Sequence, residues 1–221
     1  MVVDVTIYIE GVYSENTSVL AVDNTAVFRE SFYKLLSQKL SPPDFNLIIQ
    51  PFGSISQTKK YLELIENHKS NAVVLIDLDG PKEKIPDRLA RYQPLDTTRI
   101  FFMIQEMEAW ILSQVDKIEE FGNTEGLTRK KQDQDIASNP LIKNKHPEEI
   151  EKPSEKLKTL LGQYFESVKI VRGQQKIKKK QYSKAKDGPK LIGLLDLERL
   201  MQDFEEVHRL IDYIGSIEVE G

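Results

Sequence analysis

The 221-residue sequence predicts an α/β fold, a mainly parallel sheet flanked by helices, on three observations. Short runs rich in β-branched and aromatic residues alternate with longer segments of helical apolar spacing, the pattern of successive βαβ units. Two of those runs, AVVLI at 72–76 and RIFFMI at 99–104, are apolar without alternation, as strands covered on both faces are. Acids stand at the C-terminal ends of three of the runs, the edge where such sheets collect functional groups.

Residues 2–9 alternate and are β-branched, which predicts a strand stopped at Glu10-Gly11. Over 25–40 the apolar residues Val27, Phe28, Phe32, Leu35, Leu36 and Leu40 keep helical spacing, and Ser41-Pro42-Pro43 ends the helix. A strand at 45–50 (FNLIIQ) is stopped by Pro51 and Gly53, and a helix over 56–68 buries Tyr61, Leu62, Leu64 and Ile65. The 72–76 strand closes on Asp77-Leu78-Asp79-Gly80-Pro81; a short helix at 83–92 leads to the 99–104 strand. From 107 to 121 the period is helical again. Apolar residues nearly vanish over 122–156, which predicts a loop, lid or small insertion. A helix at 157–165 and a strand at 168–171 precede a lysine-rich strip. Asp187-Gly188-Pro189 reads as a helix start with Asp187 as cap, and 191–214 holds enough leucines for one or two helices packed on the sheet. The chain thus divides into an α/β core at 1–121, the polar insertion at 122–156, and a basic segment with C-terminal helices at 157–221.

Composition excludes several chemistries. Without cysteine there are no disulfides, thiolate-bound zinc, Fe–S clusters or thiol nucleophile, and three scattered histidines (His68, His146, His208) do not make a histidine metal site. No apolar run approaches the roughly 18 residues of a membrane span. The opening MVVDVTIYIEG has no basic n-region, so the expectation is a soluble cytoplasmic protein with no membrane partner. A homodimer is compatible with the sequence.

Net charge is −4, unevenly spread. Eight basic residues (Arg172, Lys176, Lys178, Lys179, Lys180, Lys184, Lys186, Lys190) face one acid, Asp187, within the strip, leaving a net of −11 elsewhere. From charge alone the strip reads as a solvated lysine-rich loop; it would also suit the phosphates of a nucleic acid partner, with salt-dependent binding.

The acids make the more specific pattern. Glu10 follows the first strand, Asp77 and Asp79 the third, and Glu106 and Glu108 the fourth. Each alone has an ordinary role as turn residue, cap or helix-dipole partner. Together at one edge they repel and raise one another's pKa, unless a hard divalent cation such as Mg²⁺ or Mn²⁺ takes them as oxygen ligands. Asp-x-Asp in an extended segment points both carboxylates one way. Glu106 and Glu108 share that spacing: extended, they face one side; helical, they diverge by about 200° and at most one is a ligand. Two metals about 4 Å apart would suit in-line displacement at phosphorus.

LIDLDG also resembles the nucleophile strand of haloacid-dehalogenase-like phosphatases, but it lies on the third strand and is followed by Pro81. A receiver domain would need an acidic pair after the first strand, where only Glu10 stands.

The strands IYIEG (7–11) and VLIDLDG (74–80), separated by helix, strand and helix, are similar to the Toprim domain. IQEMEAW (104–110) looks like the Glu-x-Glu element of overcoming-lysogenisation-defect (OLD) nucleases. Together they resemble a bacterial family of small stand-alone Toprim-like proteins of unassigned function, whose genes often neighbour ATPase genes. YSKAKDGPKLI (182–192) extends the likeness weakly. The resemblance implies a Mg²⁺- or Mn²⁺-dependent nuclease cleaving DNA or RNA, with an ATPase partner and a setting in bacterial antiphage defence. It implies that Glu10 handles protons and binds metal, that Asp77 and Asp79 hold one metal, and that Glu106 and Glu108 serve a second. Glu15 is a further candidate ligand, although EGVYSE is one residue longer than the usual EGxTE. Lys186, with Lys184, would face the scissile phosphate and stabilise its developing charge. The alternative is a binding or regulatory subunit that keeps the Toprim shell and cleaves nothing.

Overall fold

Alternation decides where the first strand goes. In β1 (Val3–Ile9) Val3, Val5, Ile7 and Ile9 are buried and Asp4 is exposed, which commits one face to a core. The computed structural model describes residues 2–11, 19–40, 44–171 and 174–217. β2 (Phe45–Pro51) runs parallel to β1 from the Val3–Phe45 pair to the Ile9–Pro51 pair. β3 (Ala72–Asp77) pairs with the other side of β1, and β4 (Ile100–Met103) with β3, both parallel. The order is therefore β2-β1-β3-β4, a parallel sheet flanked by helices as predicted. Every residue of β3 and β4 is buried, which is why their sequences do not alternate.

The pleat divides two cores. Val73, Leu75, Phe101 and Met103 face one, with Phe28, Phe32, Leu35 and Leu36 of α1 (Val19–Leu36). Val74, Ile76 and Phe102 face the other, closed by Leu62 and Ile65 of α2 (Thr58–His68) and edged by α3 (Ile85–Ala90). The chain beyond β4 adds to the first core through α4 (Glu108–Ser113), α5 (Val115–Thr124), α6 (Pro153–Tyr164), α7 (Asp187–Ile192), α8 (Leu197–Asp203) and α9 (Glu205–Gly215). α9 also covers the β4 edge: Glu206 accepts from the Phe102 N–H at 3.0 Å and Arg209 donates to the Ile100 carbonyl at 2.6 Å.

Several expectations are corrected. The helix expected at 107–121 breaks at Gln114, whose buried amide exchanges two hydrogen bonds with the Asp196 backbone, at 2.8 and 2.9 Å. A tertiary tie thus overrides helical periodicity. The first helix stops at Leu36 rather than 40, and Leu40 is buried from the turn that follows. The 122–156 insertion is no detached lid: Ile136, Ile142 and Ile150 enter the first core. The lysine strip is partly strand. β5 (Thr128–Arg129), β6 (Phe165–Val171) and β7 (Gln174–Lys179) form a second, antiparallel sheet. Asp187 does not cap α7; its carboxylate turns back to accept from Lys180 Nζ and the Ser183 N–H, both at 2.8 Å. No described helix is long and apolar enough to cross a membrane.

Candidate functional site at the switch point of the sheet

With β2 on one side of β1 and β3 on the other, the connections leave in opposite directions at the C-terminal ends of β1 and β3, which opens the crevice where such sheets bind ligands. Glu10 and Asp77 are the two residues there. The Glu10 N–H donates to the Leu75 carbonyl at 2.9 Å, continuing the ladder by one residue. Its carboxylate accepts from the Ile55 and Asp77 N–H groups, both at 3.1 Å. A cavity of about 380 Å³ opens here, lined by Glu10, Gly11, Phe28, Gly53, Ser54, Asp77, Met107 and Lys184.

Asp77 is the centre of the cluster. It accepts from the Met107 N–H at 2.8 Å and from Lys184 Nζ at 3.0 Å. The same ammonium lies 3.4 Å from Glu108, which is fully buried. One Glu108 oxygen accepts from the Tyr182 hydroxyl at 2.8 Å; the other has no hydrogen-bond partner. Burial first, then the neighbouring Glu108 and Glu10 charges, push the Asp77 carboxyl up to about 7 against the pull of Lys184. Burial likewise raises Glu10, offset in part by its two backbone donors. Burial disfavours the Lys184 charge, but the Asp77 and Glu108 carboxylates outweigh it and hold the amine above its ordinary value. Burial and the contact with Glu108 push the Tyr182 hydroxyl up, so it stays a donor.

The other expected residues fall elsewhere. Asp79 sits in the left-handed region at φ 54°, so the Asp-x-Asp segment is not extended and its carboxylates do not project together. Asp79 is exposed, 4.0 Å from Arg88, and borders a neighbouring cavity, though its charge still raises Glu10. Gln105, at φ 62°, ends β4 and starts the turn into α4, so Glu106 and Glu108 diverge. Glu108 goes in to Lys184; Glu106 accepts from the Ser154 N–H at the start of α6, at 2.9 Å. Lys186 is exposed and makes no ion pair among the described residues. Glu15 lies outside the described residues. Trp110 is core, 6.3 Å from the Phe204 ring. Tyr182, which sequence reasoning gave no role at the site, orients Glu108.

The donor set is made of hard oxygens, and the orphaned Glu108 oxygen beside Asp77 suits one hard divalent ion. Among the described residues no three acidic or histidine side chains are gathered to hold a metal. Lys184 stands where two of the carboxylates would share a cation. What the described residues offer a single ion is thus the carboxylate pair Asp77 and Glu108, at the place Lys184 fills; Glu106, tied to α6, is not part of it.

Residues 25–215 match a protein family described as Domain of unknown function (DUF4276). The chain belongs to this family. The DUF4276 match takes in Asp77, Glu108, Tyr182 and Lys184 and begins after β1, leaving Glu10 outside it. No curated protein and no solved structure matches the chain.

Proposed function

We propose that this DUF4276 chain is a metal-dependent phosphodiesterase acting on nucleic acid, with a Toprim-like arrangement of its acids. One observation supports the reading above others: Glu10 after β1, Asp77 at the end of β3 and Glu108 at the start of α4, far apart in sequence, gather at the switch-point crevice, where Lys184 pairs with Asp77 and Glu108. Asp77 and Glu108 would hold a Mg²⁺ or Mn²⁺ ion, which supplies polarisation of a phosphoryl oxygen and acidification of water. Glu10, its carboxyl raised by burial and oriented by its backbone donors, would take a proton from the water whose oxygen bonds to phosphorus, while the phosphorus bond to the leaving sugar oxygen breaks and that oxygen takes a proton from solvent. Lys184, freed from the carboxylates, pairs with a non-bridging phosphate oxygen and stabilises the charge that grows there. Lys184 thus takes the part first expected of Lys186. A cytoplasmic location, an ATPase partner and a bacterial defence setting complete the proposal, and rest on the family resemblance.

The self-neutralised cluster favours a second reading, a binding subunit in which Lys184 replaces the metal for good. Incubation with plasmid DNA and with structured RNA in Mn²⁺ separates the two. Cleavage by the native chain that disappears in Asp77→Ala and in Glu108→Ala supports the enzyme. Cleavage that survives both substitutions rejects the assignment of the site. No cleavage from any form, even with an ATPase partner, supports the binding subunit.

A further inference from the structure

The lysine strip divides into two sets with different surroundings. Lys180 is paired with Asp187, Lys184 with Asp77 and Glu108, and Lys190 with Glu125. Lys176, Lys178 and Lys179, all on β7, are exposed and have no acidic partner among the described residues. β5 pairs only with Phe165 and Glu166, so from Ser167 onward β6 and β7 are a two-stranded ribbon with no third strand among the described residues. Such a ribbon is marginal in water unless something else covers it. Residues 175–179 are exposed throughout, and Val168 and Ile177, paired in register, are 45% and 63% exposed.

We propose that the β6–β7 ribbon is an arm that docks on duplex DNA, standing in the major groove so that Lys176 and Lys178 on one face and Lys179 on the other meet phosphates of its two walls, with the Val168–Ile177 pair beside Lys179. The inference rests on the nucleic-acid reading of the site and names the form of its substrate. Charge complementarity selects a polyanion: outside the strip the chain carries a net of −11, so the unpaired lysines are where a phosphate backbone is attracted rather than repelled. Shape selects a duplex. The major groove, about 12 Å wide, admits a two-stranded ribbon. Single-strand binders need exposed rings to stack bases, and neither strand beyond Phe165 carries an aromatic residue. The ribbon also leads into the site. Tyr182, on Glu108, and Lys184, on Asp77, follow Lys179 within five residues, a reach of about 17 Å when extended. That is about five base pairs along a duplex.

Fluorescence anisotropy in EDTA, where binding is read without cleavage, tests the arm on a labelled duplex, the corresponding single strand, and phosphatidylserine vesicles. The native chain is compared with a Lys176→Gln, Lys178→Gln, Lys179→Gln variant, whose exposed substitutions leave Tm unchanged. Lys190→Gln, which breaks an ion pair on α7, is the control. Native duplex binding is expected to fall at least about tenfold in the triple variant. The slope of log K against log salt should drop by about 2.7, since each phosphate that a lysine no longer neutralises removes about 0.9. Lys190→Gln binds as the native chain does. Equal duplex affinity of native and triple variant, tighter binding of the single strand, or binding of vesicles without duplex each overturns the arm. Ribbon-dependent duplex binding with no Mn²⁺-dependent cleavage keeps the arm and removes the phosphodiesterase; cleavage with ribbon-independent binding does the reverse.

Discussion

Replacing Asp77 by asparagine tests whether the central carboxylate is held at a cost in stability. Its pKa rises on folding from an ordinary 3.8 to about 7, chiefly through burial. Between those values the folded protein binds a proton that the unfolded chain has released, so this group's contribution to stability falls as pH rises. At 1.36 kcal/mol per unit the full fall is about 4 kcal/mol, and about 2 kcal/mol of it lies between pH 5 and 7. An amide is neutral throughout and still offers an oxygen to the Met107 N–H, so Asp77→Asn should lose this slope while keeping that hydrogen bond. Urea unfolding at pH 5, 6, 7 and 8 measures the difference directly. The two profiles should diverge by about 2 kcal/mol as pH rises from 5 to 7, the asparagine variant gaining relative to the native protein. Parallel profiles would show that Asp77 ionises freely and that the burial argument is mistaken.

Three further outcomes are expected. Mn²⁺ at a hundred times its Kd should raise stability by about 2.7 kcal/mol, an effect that thermal melts should find missing in Glu108→Ala. Tyr182→Phe removes the one hydroxyl that reaches buried Glu108 and should cost about 1–3 kcal/mol in denaturant midpoint terms; no change would mean the carboxylate is hydrated. Ile136→Ala, at a fully buried position inside the polar insertion, should cost about 2–5 kcal/mol, whereas a mobile lid would lose almost nothing.

The parallel sheet was legible because its signals are local: alternation in β1, unbroken apolar runs in β3 and β4, prolines and glycines between them. Glu10 and Asp77 were legible for the same reason, since a residue at the end of a parallel strand has its place set by the strand. The geometry of Asp79 and Glu106 was not. Both follow from left-handed φ values at Asp79 and Gln105, non-glycine residues whose backbone conformation no local pattern announces. The zip of hydrogen bonds between them, Asp79 N–H to the Gln105 carbonyl and Gln105 N–H to the Gly80 carbonyl, is long-range. Lys184 was named beside Lys186, but its partners and the role of Tyr182 were not legible, because those partners lie more than seventy positions away. The break at Gln114 depends on Asp196, and no window of neighbouring residues contains both.

The turn after β4 sends one carboxylate inward and the next-but-one outward to the start of α6. Two neighbouring glutamates thereby become a lever: Glu106 anchors the far boundary of the insertion, and Glu108 answers to whatever cation occupies the crevice. Substitutions on the first turn of α6, remote from any reacting atom, should therefore tune how readily the crevice exchanges its lysine for an ion.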